Sequence, residues 1–326
     1  GATVGPPDDL PGPGDAARDW VAPEAAPTGM PAGSSAVAPT PRPGPVAPAA
    51  PGAEAGIRLP VPLRPMTMGD LLDGGFNVLR AEARTVLALA AVFVVPVQLV
   101  VAYLNRNALE DLDRLIEETV ATGSSTSSIG SGWAAVVSTV GTSLGQTLIA
   151  AGLAIMVVAW YAGSRPGLGD ILRSLRGRAF ALSVAWFFVH LLELVGSLAL
   201  GVGTLVAMAF YLVTAPTIAV EGLGPFAGMG RAARLAGRRF WFVLGFGLLS
   251  GLVASTLGQV LGLLPQFLGV LLGPDLGWIA LGVGGILTQM VSTTVVGAST
   301  ALLYLDLRIR LEGLDLAWAA DTHLPQ

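Results

Sequence analysis

An all-α integral membrane protein with six transmembrane helices is the fold class this sequence predicts, and three observations predict it. Charged residues make up 12% of the 326 residues and hydrophobic residues 53%. That is about half the roughly 25% charge of an ordinary globular domain, too little to cover a surface facing water. The apolar residues are gathered into uncharged runs, and about 20 such residues cross a hydrocarbon core of about 30 Å. The arginines gather between alternate runs, which is the bias of cytoplasmic loops.

Residues 1–63 come first. Fourteen of the 23 prolines fall within the first 60 residues, among many alanines and few large apolar side chains. Such a segment buries too little surface to offset its ordering entropy, so a disordered Pro/Ala-rich cytoplasmic tail is expected. Trp20 is its one bulky residue, either a partner-docking aromatic or a stray one.

A six-span domain follows over 64–316. TVLALAAVFVVPVQLVVAYL (85–104) has the length of one span, and 133–163 of another. Residues 179–220 carry a single acid and a flexible centre, GSLALGVG, which reads as two spans joined by a tight turn. The runs 240–274 and 276–305, divided at GPDLG, complete the set. ALEDLDRLIEET is expected to form a short outer helix, and the Ser/Thr/Gly-rich run after it a loop. Residues 317–326 form a short C-terminal tail.

Three stretches before odd-numbered spans have the pattern of helices lying in the membrane plane at the inner face. In 67–90, Asp70, Asp73, Asn77, Arg80 and Arg84 oppose Met68, Leu71, Leu72, Val78 and Leu79, and Thr67 with Asp70 resembles a capping box. In 166–186, Leu168, Ile171, Leu172 and Leu175 oppose Arg173 and Arg176. In GLGPFAGMGRAARLAGRRFW (222–241), Phe226, Met229, Ala233, Gly237 and Phe240 form an apolar stripe. Arg231, Arg234 and Arg238 point elsewhere, and Leu235 is the exception on their side. This glycine-rich run is no phosphate loop, because it lacks both the Walker lysine and a βαβ setting. Amphipathic helix plus two spans, three times over, makes a weak threefold internal repeat.

Of the 18 arginines, only Arg106 and Arg114 fall on the far side if the tail is inside. Both termini are therefore expected in the cytoplasm. All basic residues are arginine, which looks like high-GC codon bias and a bacterial cytoplasmic membrane.

RPMTMGDLLDGGFNVLRAEARTVLALA, PTIAVEGLGPFAGMGRAARLAGRRFWFVLG and ALLYLDLRIRLEGLDL resemble hallmark segments of one family. This is the glycerophosphoryl diester phosphodiesterase membrane-domain family of multi-pass bacterial proteins. The similarity covers roughly 64–316 and implies a six-span membrane fold. Nothing resembles the catalytic phosphodiesterase domain to which some members are fused, so the resemblance implies no enzymatic activity.

Ionisable residues within spans mark function by default. His190 and Glu193, in WFFVHLLELVG, share a helical face. Counted inward from Arg178 they lie past the midplane, toward the outer side, either as a structural pair, with Glu193 snorkelling to the outer surface, or as a site that carries protons or binds a cation. Glu221 closes the fourth span and could neutralise Arg231 or Arg308. Asp306, Arg308 and Arg310 alternate where the last span leaves the membrane, either as anchors or as a partner surface. Gln98, Gln146, Gln259 and Gln289 each bond across to another helix or together line a polar path, if they converge. Pro96, Pro216 and Pro265 are expected to kink their spans. GTSLG, GLLSG and GQVLG match the small-xxx-small packing pattern.

With no cysteine and two histidines, no HExxH, and GxSxG spacing met only by GTSLG (141–145) inside an uncharged span and not at a strand–helix turn, neither an enzyme nor a metal or other cofactor is expected. The net charge of −4 gives no basis for nucleic-acid binding. The leading expectation is a non-enzymatic membrane scaffold or accessory subunit of a cell-envelope complex. It would contact anionic lipid headgroups and a protein partner through Arg80, Arg84, Arg173, Arg176, Arg231, Arg234, Arg238, Arg239, Arg308 and Arg310. The alternative is a small-solute or ion transporter or channel using His190 and Glu193.

Overall fold

The computed structural model describes residues 64–122 and 132–314. The expected N-terminal tail with Trp20, the Ser/Thr/Gly-rich loop and the C-terminal tail lie outside the described residues. Ten helices form, and no strand occurs among the described residues. They are α1 (Met68–Ala81), α2 (Ala83–Leu104), α3 (Ala108–Thr122), α4 (Gly132–Tyr161) and α5 (Leu168–Ser197). Then come α6 (Val202–Tyr211), α7 (Thr214–Glu221), α8 (Pro225–Gly237), α9 (Phe240–Leu271) and α10 (Gly273–Glu312). Six helices are long and apolar enough to cross a membrane: α2, α4, α5, α6 with α7, α9 and α10. The protein is an all-α, multi-pass membrane protein.

The α1 start is a capping box. The Thr67 hydroxyl accepts from the Asp70 N–H (3.2 Å), and the Asp70 carboxylate accepts from the Thr67 N–H (2.9 Å). The Thr67 N–H, and after it the Thr67 hydroxyl donating to the same carboxylate (3.0 Å), hold the Asp70 carboxyl below its ordinary pKa. At α5 the Gly167 N–H donates to Asp170 in the same way (3.3 Å).

The three amphipathic stretches are not built alike. α1 turns into α2 at Glu82 (φ −138°, ψ 49°), and α8 turns into α9 at Arg239 (φ −135°, ψ 38°), with nearly the same backbone conformation. The second stretch makes no such turn. It forms the first turns of α5, which runs unbroken for 30 residues into the third span.

The apolar faces of α1 and α8 pack on protein. Leu71, Gly74, Gly75 and Val78 of α1 are buried, and α1 packs against α10. The buried face of α8 is Gly228, Met229, Ala232, Leu235 and Ala236. Leu235, the exception on the wheel, is thus core, while Phe226 of the expected stripe is 62% exposed. Small residues decide this phase: a β-carbon on Gly228 would collide with Ile218 of α7, so the glycine side of α8 can approach closest.

α10 is the central helix, in contact with α9, α4, α2 and α1. GQVLG makes the α9–α10 seam, where β-carbons on Gly258 and Gly262 would strike Ser292 and Thr288. GTSLG sets α4 on α2 through Val97 and Phe93. α5 and α6 form a hairpin whose backbones touch at Gly196 and Gly203. The exposed leucines and phenylalanines of α9, such as Leu264 and Phe267, are ordinary for a surface solvated by lipid tails.

The fourth span is two helices. Leu212 and Val213 separate α6 from α7. Pro216 explains the break, since it has no N–H to offer the Leu212 carbonyl and its ring crowds that group. Pro96 and Pro265 lie inside unbroken α2 and α9.

Candidate functional site: an intramembrane polar cavity

A cavity of about 550 Å³ lies among α4, α5, α6, α7, α9 and α10. Its lining includes mid-span residues, Gln146 on α4, Gln259 on α9 and Gln289 on α10, and follows α5 as far as Glu193 near that helix's outer end. Three of the four span glutamines therefore converge. The fourth, Gln98, lines a separate cavity of about 350 Å³ between α2 and α10. A further amide, Gln266, was not singled out in the sequence; it bonds Thr288 across the α9–α10 seam (3.5 Å).

His190 and Glu193 both line the main cavity. The His190 Nδ1 lies 2.9 Å from the Trp186 carbonyl oxygen. A carbonyl can only accept, so Nδ1 donates, and in the neutral ring Nε2 is left as the proton acceptor. Nε2 faces the Glu193 carboxylate at 3.9 Å, too long for a hydrogen bond. The Trp186 ring stacks near the imidazole (4.9 Å between centroids), and its indole N–H donates to Ser143 of α4 (3.0 Å). That bond fixes the rotation of α5 against α4, and with it the direction of the His190–Glu193 face.

Hydroxyls complete the polar lining. Ser292 donates to the Ala254 carbonyl (3.0 Å) and Ser250 to the Gly247 carbonyl (3.2 Å). Thr214, at the start of α7, has a buried hydroxyl with no hydrogen-bond partner. Nothing in the sequence flags these groups, because single Ser and Thr residues are common in membrane helices. Thr214, Ala215 and Ile218 of α7 line the cavity, and α7 stays buried through Ala219. It separates the cavity from the arginine-rich end of the bundle.

Beneath α7 lie two ionic clusters built from the chain's own carboxylates. Glu221 accepts from Arg231 (3.0 Å) and from the Tyr304 hydroxyl (3.0 Å). Arg231 also pairs with Glu312, which accepts from Arg308 (3.0 Å), and Arg308 reaches the Tyr304 hydroxyl (3.2 Å). Burial opposes the charge of Arg231, but its bonds to Glu221 and Glu312 outweigh that and raise its pKa further. In the second cluster Asp306, fully buried, accepts from the Met66 N–H (2.7 Å) and from Arg310 (2.9 Å), with Arg239 at 3.7 Å. Arg310 also donates to the Met66 carbonyl (2.7 Å), and Arg239 lies over the Phe242 ring (4.3 Å). Tyr304 and Glu312 were not picked out from the sequence.

The arginines named from the sequence thus divide. Arg231, Arg239, Arg308 and Arg310 are held in these clusters, with side chains 30% exposed or less. Arg80, Arg84, Arg173, Arg176, Arg234 and Arg238 are exposed at the same end, and Arg173 pairs with Asp170 (3.1 Å). Among the described residues no group of acids and histidines is placed to hold a metal ion. No family model matches the chain, and no curated protein or solved structure is significantly similar to it.

Proposed function

We propose that this chain is a non-enzymatic membrane protein that binds a small solute in the central cavity and passes it across the bilayer. One observation carries the reading: glutamines at mid-span on three helices share one space with His190 and Glu193 of a fourth, which lie nearer the outer end of α5. Polar and ionisable groups are costly at that depth and collect there for a purpose. A site at the middle of the membrane beside a broken helix is also a recurrent transporter arrangement.

The chain has no cysteine, so single introduced cysteines report directly on water in the cavity. In reconstituted vesicles, Ser255→Cys and Gln289→Cys should react with a membrane-impermeant methanethiosulfonate. Ser299→Cys, buried in the bundle outside the cavity lining, should not. A transporting protein exposes Gln289→Cys from both faces of the membrane. Cavity cysteines as inert as Ser299→Cys would defeat the proposal.

A second reading rests on the six exposed arginines at one end. They favour a scaffold or accessory subunit of a cell-envelope complex, seated on anionic headgroups and docking a protein partner there. The resemblance to the phosphodiesterase membrane-domain family is compatible with either reading.

A further inference from the structure

If the cavity is the solute site proposed above, its lining also constrains the solute's charge. It presents one carboxylate, Glu193, one imidazole, His190, and one phenol, Tyr211, and no arginine. The remaining polar groups are neutral: hydroxyls and amides on α4 (Ser143, Gln146, Thr147), and likewise on α9 and α10. The nearest arginine clusters lie beyond α7 and are paired with their own carboxylates. An anion would therefore find no positive partner and would face Glu193. A neutral solute would leave only the titratable His190 to balance that carboxylate in a low-dielectric setting, whereas an organic cation brings a permanent countercharge.

The geometry around Glu193 favours an organic cation over a bare metal ion. The antiparallel α5–α6 hairpin sets its register where the Thr204 hydroxyl donates to the Glu193 carbonyl (2.9 Å). Seven residues down each helix, or about two turns, Trp186 and Tyr211 reach the same level, and both line the cavity. An aromatic pair below a carboxylate suits a body that is charged at one end and apolar at the other, through ion pairing and ring faces. The volume of about 550 Å³ is that of a small-molecule pocket, not of a bare ion's cage.

We propose that the cavity binds an organic cation, with the positive centre at Glu193 and the body extending along α5 toward Trp186 and Tyr211.

The test is equilibrium dialysis of labelled choline against the full chain in nanodiscs. The competitor is 3,3-dimethylbutan-1-ol, choline's uncharged isostere. Choline should bind saturably and the isostere should not compete at equal concentration. Glu193→Gln should weaken binding by about tenfold or more. Gly251→Phe should abolish it, because a side chain at Gly251 grows into open cavity space. If the isostere competes as well as choline and Gly251→Phe removes both, the cation inference fails while the solute site stands. If wild-type protein binds neither, the cation inference fails, and inert cavity cysteines would then take the functional reading with it. Should Glu193→Gln not fold, the comparison of choline with its isostere on wild-type protein decides alone.

Discussion

At the scale of single residues, the same ionic chemistry has different consequences at different depths. Asp306 and Asp170 each face an arginine at about 3 Å, yet Asp306 is fully buried and the Asp170 side chain is 61% exposed. Exposed pairs contribute about 0–1 kcal/mol, whereas removing one partner of a buried pair costs about 3–5 kcal/mol because it strands the other charge. Asp306→Ala leaves Arg310 and Arg239 facing each other's neighbourhood and frees the Met66 N–H as well. It should lower the thermal midpoint of the detergent-solubilised protein sharply, while Asp170→Ala shifts it little. Equal shifts for the two would refute the assignment of Asp306 as the tie between the α1 entry and α10. Sequence showed Asp306, Arg308 and Arg310 as alternating charges leaving a span. It could not show that Met66, 240 positions away, supplies the buried partner.

At the scale of elements, hydropathy and length were enough to place the spans, because crossing a hydrocarbon slab is a local requirement on about 20 residues at a time. Pairings between spans are not local. The convergence of Gln146, Gln259 and Gln289, the phase of α8 around Leu235 and the continuity of α5 all depend on which neighbour packs where. The α6–α7 break lies between the two levels: Pro216 signalled a kink, and the structure shows two separated helices over a cavity floor. α7 is short and buried, and it is tied at its far end by Glu221 to Arg231 and Tyr304. On the transport reading it is the element that must move for solute to leave toward the arginine-rich end. Pro216→Ala returns an N–H to the Leu212 carbonyl and lets α6 continue into α7. It should stabilise the protein by about 1 kcal/mol. It should also slow modification of Gln289→Cys from the arginine-rich face without changing it from the other. Unchanged stability and unchanged access from both faces would show that the break is no hinge.

At the scale of the whole molecule, the asymmetry of charge sets the expected orientation and supplies a test of the headgroup reading. α3, with Glu110, Asp111, Asp113, Glu117 and Glu118, occupies one end, and the six exposed arginines occupy the other. Arginine bias near span ends governs insertion, whereas acids contribute little, so the arginine-rich end is expected on the cytoplasmic side. On intact cells an impermeant maleimide should modify Asp113→Cys at once and Arg234→Cys only after permeabilisation. Because the bias is spread over many arginines, losing Arg234 alone should not invert the chain. On that expected orientation the same end would meet the more anionic leaflet, where each arginine near the surface is worth about 1 kcal/mol. Arg234→Gln combined with Arg238→Gln should therefore reduce the anionic lipid that survives mild extraction, leaving topology and Asp306-dependent stability unchanged. If labelling is reversed, the charge argument fails for this chain. If orientation holds but bound lipid is unaffected, the exposed arginines serve insertion alone, and the scaffold reading loses the observation that favours it.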